Sequence, residues 1–252
     1  MNNVIIFGSS QGIGEALVYE YASHGANLVL LSRNKEAIQR LAEEIYSKGG
    51  KAYYRKCDVS VFEQVKDSID FSLSKLGTID VAIINSGIGI KQWMSKFKSE
   101  EFKTIVATNT FGIAHALECL IPVMMKQGYG KIAGVSSMAD VRGYPGSSGY
   151  NASKAAATKL LETARVELLK YGIRVITVKP GFVRTAMTAK NEFYMPFIME
   201  PDKAAKIIRK GITRGKSTVR FPLGIIFLTK AAEYAPNWLF DRALRILRKE
   251  EN

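Results

Sequence analysis

Cysteine is nearly absent: Cys57 and Cys119 are the only two in 252 residues, and no CxxC pair exists. That excludes a disulfide framework and points to a reduced, intracellular setting. Histidine is as scarce, with only His24 and His115, so a Cys/His zinc site lacks ligands and no metal centre is expected. Long apolar runs are missing as well. The first, Val4-Ile5-Ile6-Phe7, meets Gly8 at once and leaves no room for a signal peptide. The longest later run, Phe221–Leu228, falls far short of the ~18–20 residues that span a bilayer. A soluble, cytoplasmic protein is expected, at most peripheral to a membrane.

Acidic residues are outnumbered, 23 against 36 Lys and Arg, for a net charge of +13. Residues 201–252 alone hold 12 Lys and Arg against 5 Asp and Glu. Such an excess attracts anions in general, whether nucleotides, acidic lipids or nucleic acid. The basic residues are dispersed along helical segments without a recognition motif, so no specific nucleic-acid partner is expected. Hydrophobic residues at 47% and charged residues at 23% are ordinary globular usage and exclude a disordered chain.

What is present alternates. Short β-branched runs at Val4–Phe7, Asn27–Ser32, Ala52–Cys57, Val81–Asn85, Lys131–Ser136, Arg174–Lys179 and Thr218–Phe221 read as strands. Several have no polar alternation, as befits strands covered on both faces. Helical periodicity fills the gaps at Ile13–Ser23, Lys35–Lys48, Val61–Leu76, Ser99–Lys126, Tyr150–Tyr171 and Pro201–Gly211, with Pro122 placed to kink the fourth helix or mark its last turn. The expectation is an α/β fold, a Rossmann-type doubly wound parallel sheet of about seven strands, in a single domain with a helical C-terminal extension.

Three patterns point to chemistry. The first strand runs into Gly8-Ser9-Ser10-Gln11-Gly12-Ile13-Gly14, and a glycine-rich turn opening a helix brings bare N–H groups and a favourable dipole to an anion. The alternative is a tight structural turn. The second strand ends at Ser32-Arg33-Asn34, where a dinucleotide fold meets the adenosine ribose. With Arg33 there and no acid, NADP is favoured and NAD left open; the bland alternative is a solvated surface arginine. Tyr150 and Lys154, four apart, share a helix face, and an ammonium beside a phenol lowers the phenol pKa.

Together these and other motifs resemble the short-chain dehydrogenase/reductase superfamily over residues 1–185. Gly8, Gly12 and Gly14 match its glycine motif, with Ser10, Gln11 and Ile13 inside the same cofactor-binding turn. Asp58 matches the residue that holds the adenine amino group, and Asn85-Ser86-Gly87 its NAG motif. Pro180-Gly181 and Thr185 match the segment that meets the nicotinamide. Asn109, Ser137, Tyr150 and Lys154 match its catalytic set. The resemblance implies hydride transfer between a nicotinamide and a carbon bearing oxygen. Tyr150 then exchanges the proton, Ser137 hydrogen-bonds the carbonyl, Lys154 holds the ribose and tunes Tyr150, and Asn109 anchors a water that relays protons to Lys154. Three positions depart from the pattern: Phe7 stands for the usual Thr, Gln11 for the Lys or Arg of many NADP-preferring members, and Ser86 for Ala.

Residues 186–252 are expected to form a substrate lid and C-terminal extension of the same domain. Phe182, Met187, Phe193, Tyr194, Met195, Phe197, Ile198 and Met199 suit a lid over an apolar, lipid-like substrate, or core packing of a short helical excursion. Met138 and Tyr144 are further pocket candidates. The tail, with Ile225–Leu228 strand-like and Trp238, Leu239, Phe240, Leu244, Ile246 and Leu247 among Arg242, Arg245, Arg248 and Lys249, resembles that of the steroid- and lipid-acting branch. It fits a peripheral membrane helix or a subunit interface of a homodimer or homotetramer, and the strand-like stretch tilts the reading to the latter. The function expected is an NADP(H)-dependent carbonyl reductase or alcohol dehydrogenase. The alternative is a catalytically silent nucleotide-binding scaffold or sensor whose basic tail meets a membrane or partner.

Overall fold

A strand apolar at successive positions has no face to offer water and is buried from both sides. In the computed structural model, which describes residues 2–247, the strands are β1 Asn3–Phe7, β2 Asn27–Ser32, β3 Lys51–Lys56, β4 Val81–Ile84, β5 Gly130–Val135, β6 Ile173–Pro180 and β7 Thr218–Phe221. They form one seven-stranded sheet in the order β3-β2-β1-β4-β5-β6-β7, parallel throughout. The order reverses at β1, where Phe7 pairs with Leu31 on one side and Ile84 on the other. In open parallel sheets the ligand crevice lies at such a reversal, beyond the carboxyl ends of the strands.

The helices are α1 Gly12–Ala22, α2 Lys35–Ser47, α3 Phe62–Leu76, α4 Ser99–Val106, α5 Gly112–Gln127, α6 Ser148–Leu168, α7 Pro201–Thr213, α8 Leu223–Tyr234 and α9 Asn237–Leu247. The period-2 alternation of each strand splits the core into two layers. Val4, Ile6, Leu28 and Leu30 point to α1, α2 and α7, where they meet Leu17, Ile38, Leu41 and Ile208. Ile5, Phe7, Val29 and Leu31 point the other way, to the layer of Val65 and Ile69 on α3, Ile113 and Leu120 on α5, and Leu161 on α6. Because Ala204, Ala205, Ile208 and Ile212 of α7 join the first layer, the chain returns to the core after the expected lid.

Two expectations are corrected. Ser99–Lys126 is not one helix that Pro122 bends: a wide π turn at Ala107–Phe111 separates α4 from α5, and Pro122 lies within α5. The sequence mark of that turn is faint, since single π turns follow tertiary demands rather than propensity. By length and composition Ser99–Gln127 is long and apolar enough to cross a membrane, yet 44% of that window is buried in the fold, with Ile113, Leu117 and Leu120 against the sheet. The second correction is Ile225–Leu228, which belongs to α8. A short apolar run fits either period, and here the helical one wins: Ile225 and Thr229 face inward while Leu223, Phe227 and Tyr234 face solvent. Arg248 and Lys249 lie outside the described residues.

Candidate active site

The turn between β1 and α1 needs its glycines for three separate reasons. Gly8 and Gly12 hold φ of +76° and +60°, the left-handed region that favours glycine. A Cβ on Gly8 would lie 2.8 Å from the Ser86 backbone, and one on Gly12 would lie 2.9 Å from the Thr185 methyl. A Cβ on Gly14 would strike the Gly8 carbonyl oxygen. Stripped of side chains, the turn lets the segments after β4 and β6 close in on the start of α1.

Neighbouring residues brace it. Gly8 N–H donates to the Leu31 carbonyl (2.7 Å), the Asn85 amide donates to the Gly8 carbonyl (2.9 Å), and Ser32 donates to the Ser10 hydroxyl (2.8 Å). Asn85 thus holds the turn itself. Gln11 stands exposed at the N-cap position of α1 with no capping hydrogen bond from its side chain, and Ile13 packs inward on the core. Asp58, just past β3, accepts from the Ser60 N–H (3.0 Å) and hydroxyl (2.7 Å) in an Asx turn. Arg33 is exposed at the end of β2 with no ion pair or hydrogen bond to its side chain among the described residues.

On the other side of the crevice, Ser137 ends the β5 segment, and Tyr150 and Lys154 ride on α6. The hydroxyl of Ser137 hydrogen-bonds the Tyr150 phenol. Lys154 Nζ donates to the Val135 carbonyl at 2.8 Å and lies 5.8 Å from the centre of the Tyr150 ring. Asn109 sits inside the π turn, fully buried. Its amide donates to the Ile88 carbonyl (2.9 Å) and Ser153 hydroxyl (3.0 Å), and its Oδ1 accepts from the Ile88 N–H (2.8 Å). Ser153 in turn donates to the Tyr150 carbonyl (2.8 Å). Gly87 leaves this corner open, since a Cβ there would lie 3.3 Å from both Asn109 Oδ1 and Lys154 Nζ.

The electrostatics differ from the sequence expectation. Burial pushes the Lys154 ammonium down to about 8 from 10.5, with the Asp140 carboxylate pulling the other way. Tyr150 is raised, not lowered: burial dominates, the Ser137 hydrogen bond opposes it, and Asp140 adds to the rise. The ammonium of Lys154 is turned to Val135 and does not offset the burial of the phenol. Two groups that sequence reasoning missed stand beside the site. Asp140 and Lys179 form an ion pair at 2.6 Å, their side chains 3% and 8% exposed. Their signals were faint: an acid three residues past Ser137 and a lysine before Pro180.

The expected substrate side is partly assembled. Gly181 N–H donates to the Phe221 carbonyl (2.7 Å), which ties the Pro180-Gly181 corner to β7. Thr185 N–H donates to the Thr188 hydroxyl (2.9 Å) in the loop that follows. Met187 and Tyr150 both approach Gly89, each 3.8 Å from a Cβ placed there. Met199 packs against the core and Phe182 meets the Phe193 ring edge-on at 5.8 Å. Phe193, Tyr194 and Phe197 are exposed, so core packing does not account for the segment, which holds only a short 3-10 turn at Thr188–Lys190. Met138 is buried, and Tyr144 packs against Phe240 of α9.

The lowered Lys154 has a stability signature. Between about 8 and 10.5 the unfolded chain keeps this proton while the folded one has released it, so wild-type stability rises with pH through that window. Lys154→Met removes the buried charge. The variant should unfold about 1–3 kcal/mol harder than wild type near pH 7, with the gap closing towards pH 10. Urea denaturation at both pH values checks this, and a gap that does not change with pH would contradict it.

The comparisons with known proteins agree with this geometry. The model of the short chain dehydrogenase family matches residues 2–193. An uncharacterized oxidoreductase of Myxococcus xanthus is 34% identical over 244 residues, covering 97% of this chain and 96% of its own. A 3-oxoacyl-(acyl-carrier-protein) reductase of Thermotoga maritima is 33% identical over 186 residues, 74% of this chain and 76% of that one. Among solved structures, an alcohol dehydrogenase from the archaeon Thermococcus sibiricus, complexed with 5-hydroxy-NADP, is 26% identical with a TM-score of 0.80, covering 88% of this chain and 96% of that chain. A glycine turn at the sheet's switch point, a Ser–Tyr–Lys cluster facing it and a family match over most of the chain agree: this protein belongs to the short chain dehydrogenase family of NAD(P)-dependent oxidoreductases.

Proposed function

We propose that the protein is an NADP(H)-dependent carbonyl reductase or alcohol dehydrogenase acting on an apolar, lipid-like substrate. The observation that carries the reading is the meeting of Ser137, Tyr150 and Lys154 opposite a turn stripped to backbone. A dinucleotide fits that cradle, because the glycines at 8, 12 and 14 leave no room for side chains between it and Ser86 or Thr185. The backbone at Gly8, Ser10, Gln11, Gly12, Ile13 and Gly14 would face the pyrophosphate, with Asp58 at the adenine. Asn85, Gly87, Pro180, Gly181 and Thr185 would border the nicotinamide, and Arg33 would take the 2′-phosphate. The bound cofactor supplies the hydride.

This chain's residues supply the rest. Tyr150, kept protonated by burial, suits the reductive direction, in which it gives its proton to the developing alkoxide. Ser137 donates to the same oxygen and stabilises the charge that grows on it. Lys154, tuned towards neutral pH, holds the ribose and takes part in reprotonating Tyr150. Asn109 fixes Ile88 and Ser153; with both amide hydrogens engaged, it has one Oδ1 lone pair left for the expected relay water. Residues 1–185 carry the cofactor and the catalytic set, and 186–252 cover them.

Cofactor titration by fluorescence tests the reading. NADPH should bind at least about tenfold more tightly than NADH, and Arg33→Ala should erase that preference, since a charge-assisted bond to phosphate contributes about 1.5–3 kcal/mol. Tyr150→Phe should lower kcat by about 10²–10⁴ while leaving NADPH binding intact. Cofactor binding with no turnover in either protein would instead support the silent nucleotide sensor.

The exposed rings of Phe193, Tyr194 and Phe197 support the apolar substrate class. Along straight-chain aldehydes from butanal to decanal, kcat/KM should rise by up to about fourfold per methylene, the value of burying a CH₂. A flat series would reject a greasy pocket.

The tail supports a peripheral membrane contact. The strand that tilted the reading to a subunit interface is a helix, and its outward stripe of Leu223, Phe227 and Tyr234 continues to Trp238 and Leu239, all exposed. Apolar rings beside Lys230, Arg242 and Arg245 suit an anionic lipid surface. The protein should float with phosphatidylglycerol vesicles, and Phe227→Ser with Trp238→Ser should abolish flotation. A homodimer by sedimentation with no flotation would return the face to a second copy.

A further inference from the structure

The catalytic reading leaves the buried Asp140–Lys179 pair without a task, although it is built into the site's frame. Asp140 belongs to the turn Met138–Asp140, which Ser137 opens by accepting from the Ala139 N–H at 3.1 Å. Lys179 is the residue of β6 just before Pro180-Gly181. The pair therefore ties the loop that carries Ser137 to the strand end that presents the Pro180-Gly181 corner. Asp140 Oδ2 also accepts from the Thr158 hydroxyl (2.6 Å), Thr158 lies 2.7 Å from the Ser136 hydroxyl, and Ser136 donates to the Lys154 carbonyl (2.9 Å). One carboxylate is thus linked by side chains to both elements that frame the substrate carbonyl and to the backbone of the lysine.

Its second oxygen is equally informative. Asp140 Oδ1 is buried without a hydrogen-bond partner among the described residues. Leaving a buried carboxylate oxygen bare is costly and rare, and a purely structural bridge gains nothing by it. A carboxylate held in such a buried place, paired with Lys179 on one oxygen, also acts on the groups around it. The titratable groups that feel it are Tyr150, Lys154 and Lys159 on α6 and Tyr144 on the preceding loop. The other charges nearby are Arg142 against Tyr144, Glu162 near Lys179, and Glu233 of α8 near Lys159.

We propose that Asp140, paired with Lys179, is a positioning residue for the reaction: it locks the Ser137 loop to the Pro180-Gly181 corner and holds a negative charge beside Tyr150 and Lys154. The inference rests on the assignment of Ser137, Tyr150 and Lys154 to catalysis. Asp140→Asn deletes the charge and leaves the Lys179 ammonium unopposed, and both changes favour the phenolate of Tyr150. The proton donor is therefore lost at lower pH.

Octanal reduction by NADPH provides the test. In Asp140→Asn, kcat should fall about ten- to a hundredfold, the usual effect of a small misplacement. The alkaline limb of its pH profile should move down by about one unit. Asp140→Leu with Lys179→Met replaces the ion pair by an apolar one, which restores folding in buried pairs of this kind. That double variant should melt near wild type yet keep kcat about tenfold low, and it carries the test if Asp140→Asn does not fold. Wild-type kcat in the double variant, or a lowered Tm in Asp140→Asn with kcat and the alkaline limb unchanged, would make the pair structural and overturn the proposal. Full activity in Tyr150→Phe would overturn the catalytic assignment itself, a separate result.

Discussion

A lysine kept out of water sets the terms for the residues around it. Lys154 is 3% exposed, and its ammonium donates to the Val135 carbonyl. Burial of that kind pushes the proton off unless anions are close, and the nearest is Asp140, itself sealed in. The charged form is thus balanced between desolvation, which works against it, and one carboxylate, which works for it. That balance brings the lysine near neutral pH, where the loss and gain of a proton are both accessible. The same burial raises Tyr150, so the two groups part in proton affinity, the lysine falling below the phenol. Two titratable groups that one environment drives apart take different parts: the phenol keeps its proton, and the amine gives its own up more readily.

The geometry behind this follows from the sheet. With both faces of the strands covered, side chains that reach a ligand come from the carboxyl-end loops, and the order reversal at β1 parts those loops there. Gly8 to Gly14 follow β1, Arg33 follows β2, Asp58 follows β3, Asn85 to Gly87 follow β4, Ser137 follows β5 and Gly181 follows β6. Tyr150 and Lys154 come from α6, and Asn109 from a helical stretch that is distorted: the π turn presents its amide to Ile88 and Ser153. A regular helix from Ser99 to Gln127 turns that residue elsewhere, so the local cost of the π turn is offset by three hydrogen bonds.

The legible part of the molecule is the part governed by period. Strand cores such as Val4–Phe7 and Val81–Ile84 were readable because two-sided burial leaves no polar positions, and α2 because Ile38, Leu41, Ala42 and Ile45 keep one stripe. The glycines were readable because backbone approach admits no other residue. Besides the Asp140–Lys179 pair, three things escaped. The π turn has no compositional mark. Ile225–Leu228 is too short for its period to decide, and only the inward Ile225 and Thr229 reveal the helix. The direction of the Tyr150 shift depends on how deeply the phenol is buried and where the Lys154 ammonium turns, and neither is encoded in a four-residue spacing.

Residues 186–252, expected to extend the same domain, do share its core. After Gly181 the chain leaves the sheet for a loop of exposed rings, then returns through α7 and β7 to complete the same core. Arg142, on the loop between Ser137 and Tyr150, donates to the carbonyls of Ala232 (2.9 Å) and Ala235 (2.6 Å) and to Asn237, and lies 4.3 Å from the centre of the Phe240 ring. Gly181 packs against Pro222 and Ile225, and Gly224 against Phe197. The exposed apolar helices are therefore fastened to the two loops that flank Tyr150, not appended beside them. α8 and α9 therefore lie at the rim of the site, with Arg142 joining them to the loop after Ser137. The tail thus meets the loops of the site through the Arg142 guanidinium, the Tyr144 ring and the close approaches at Gly181 and Gly224.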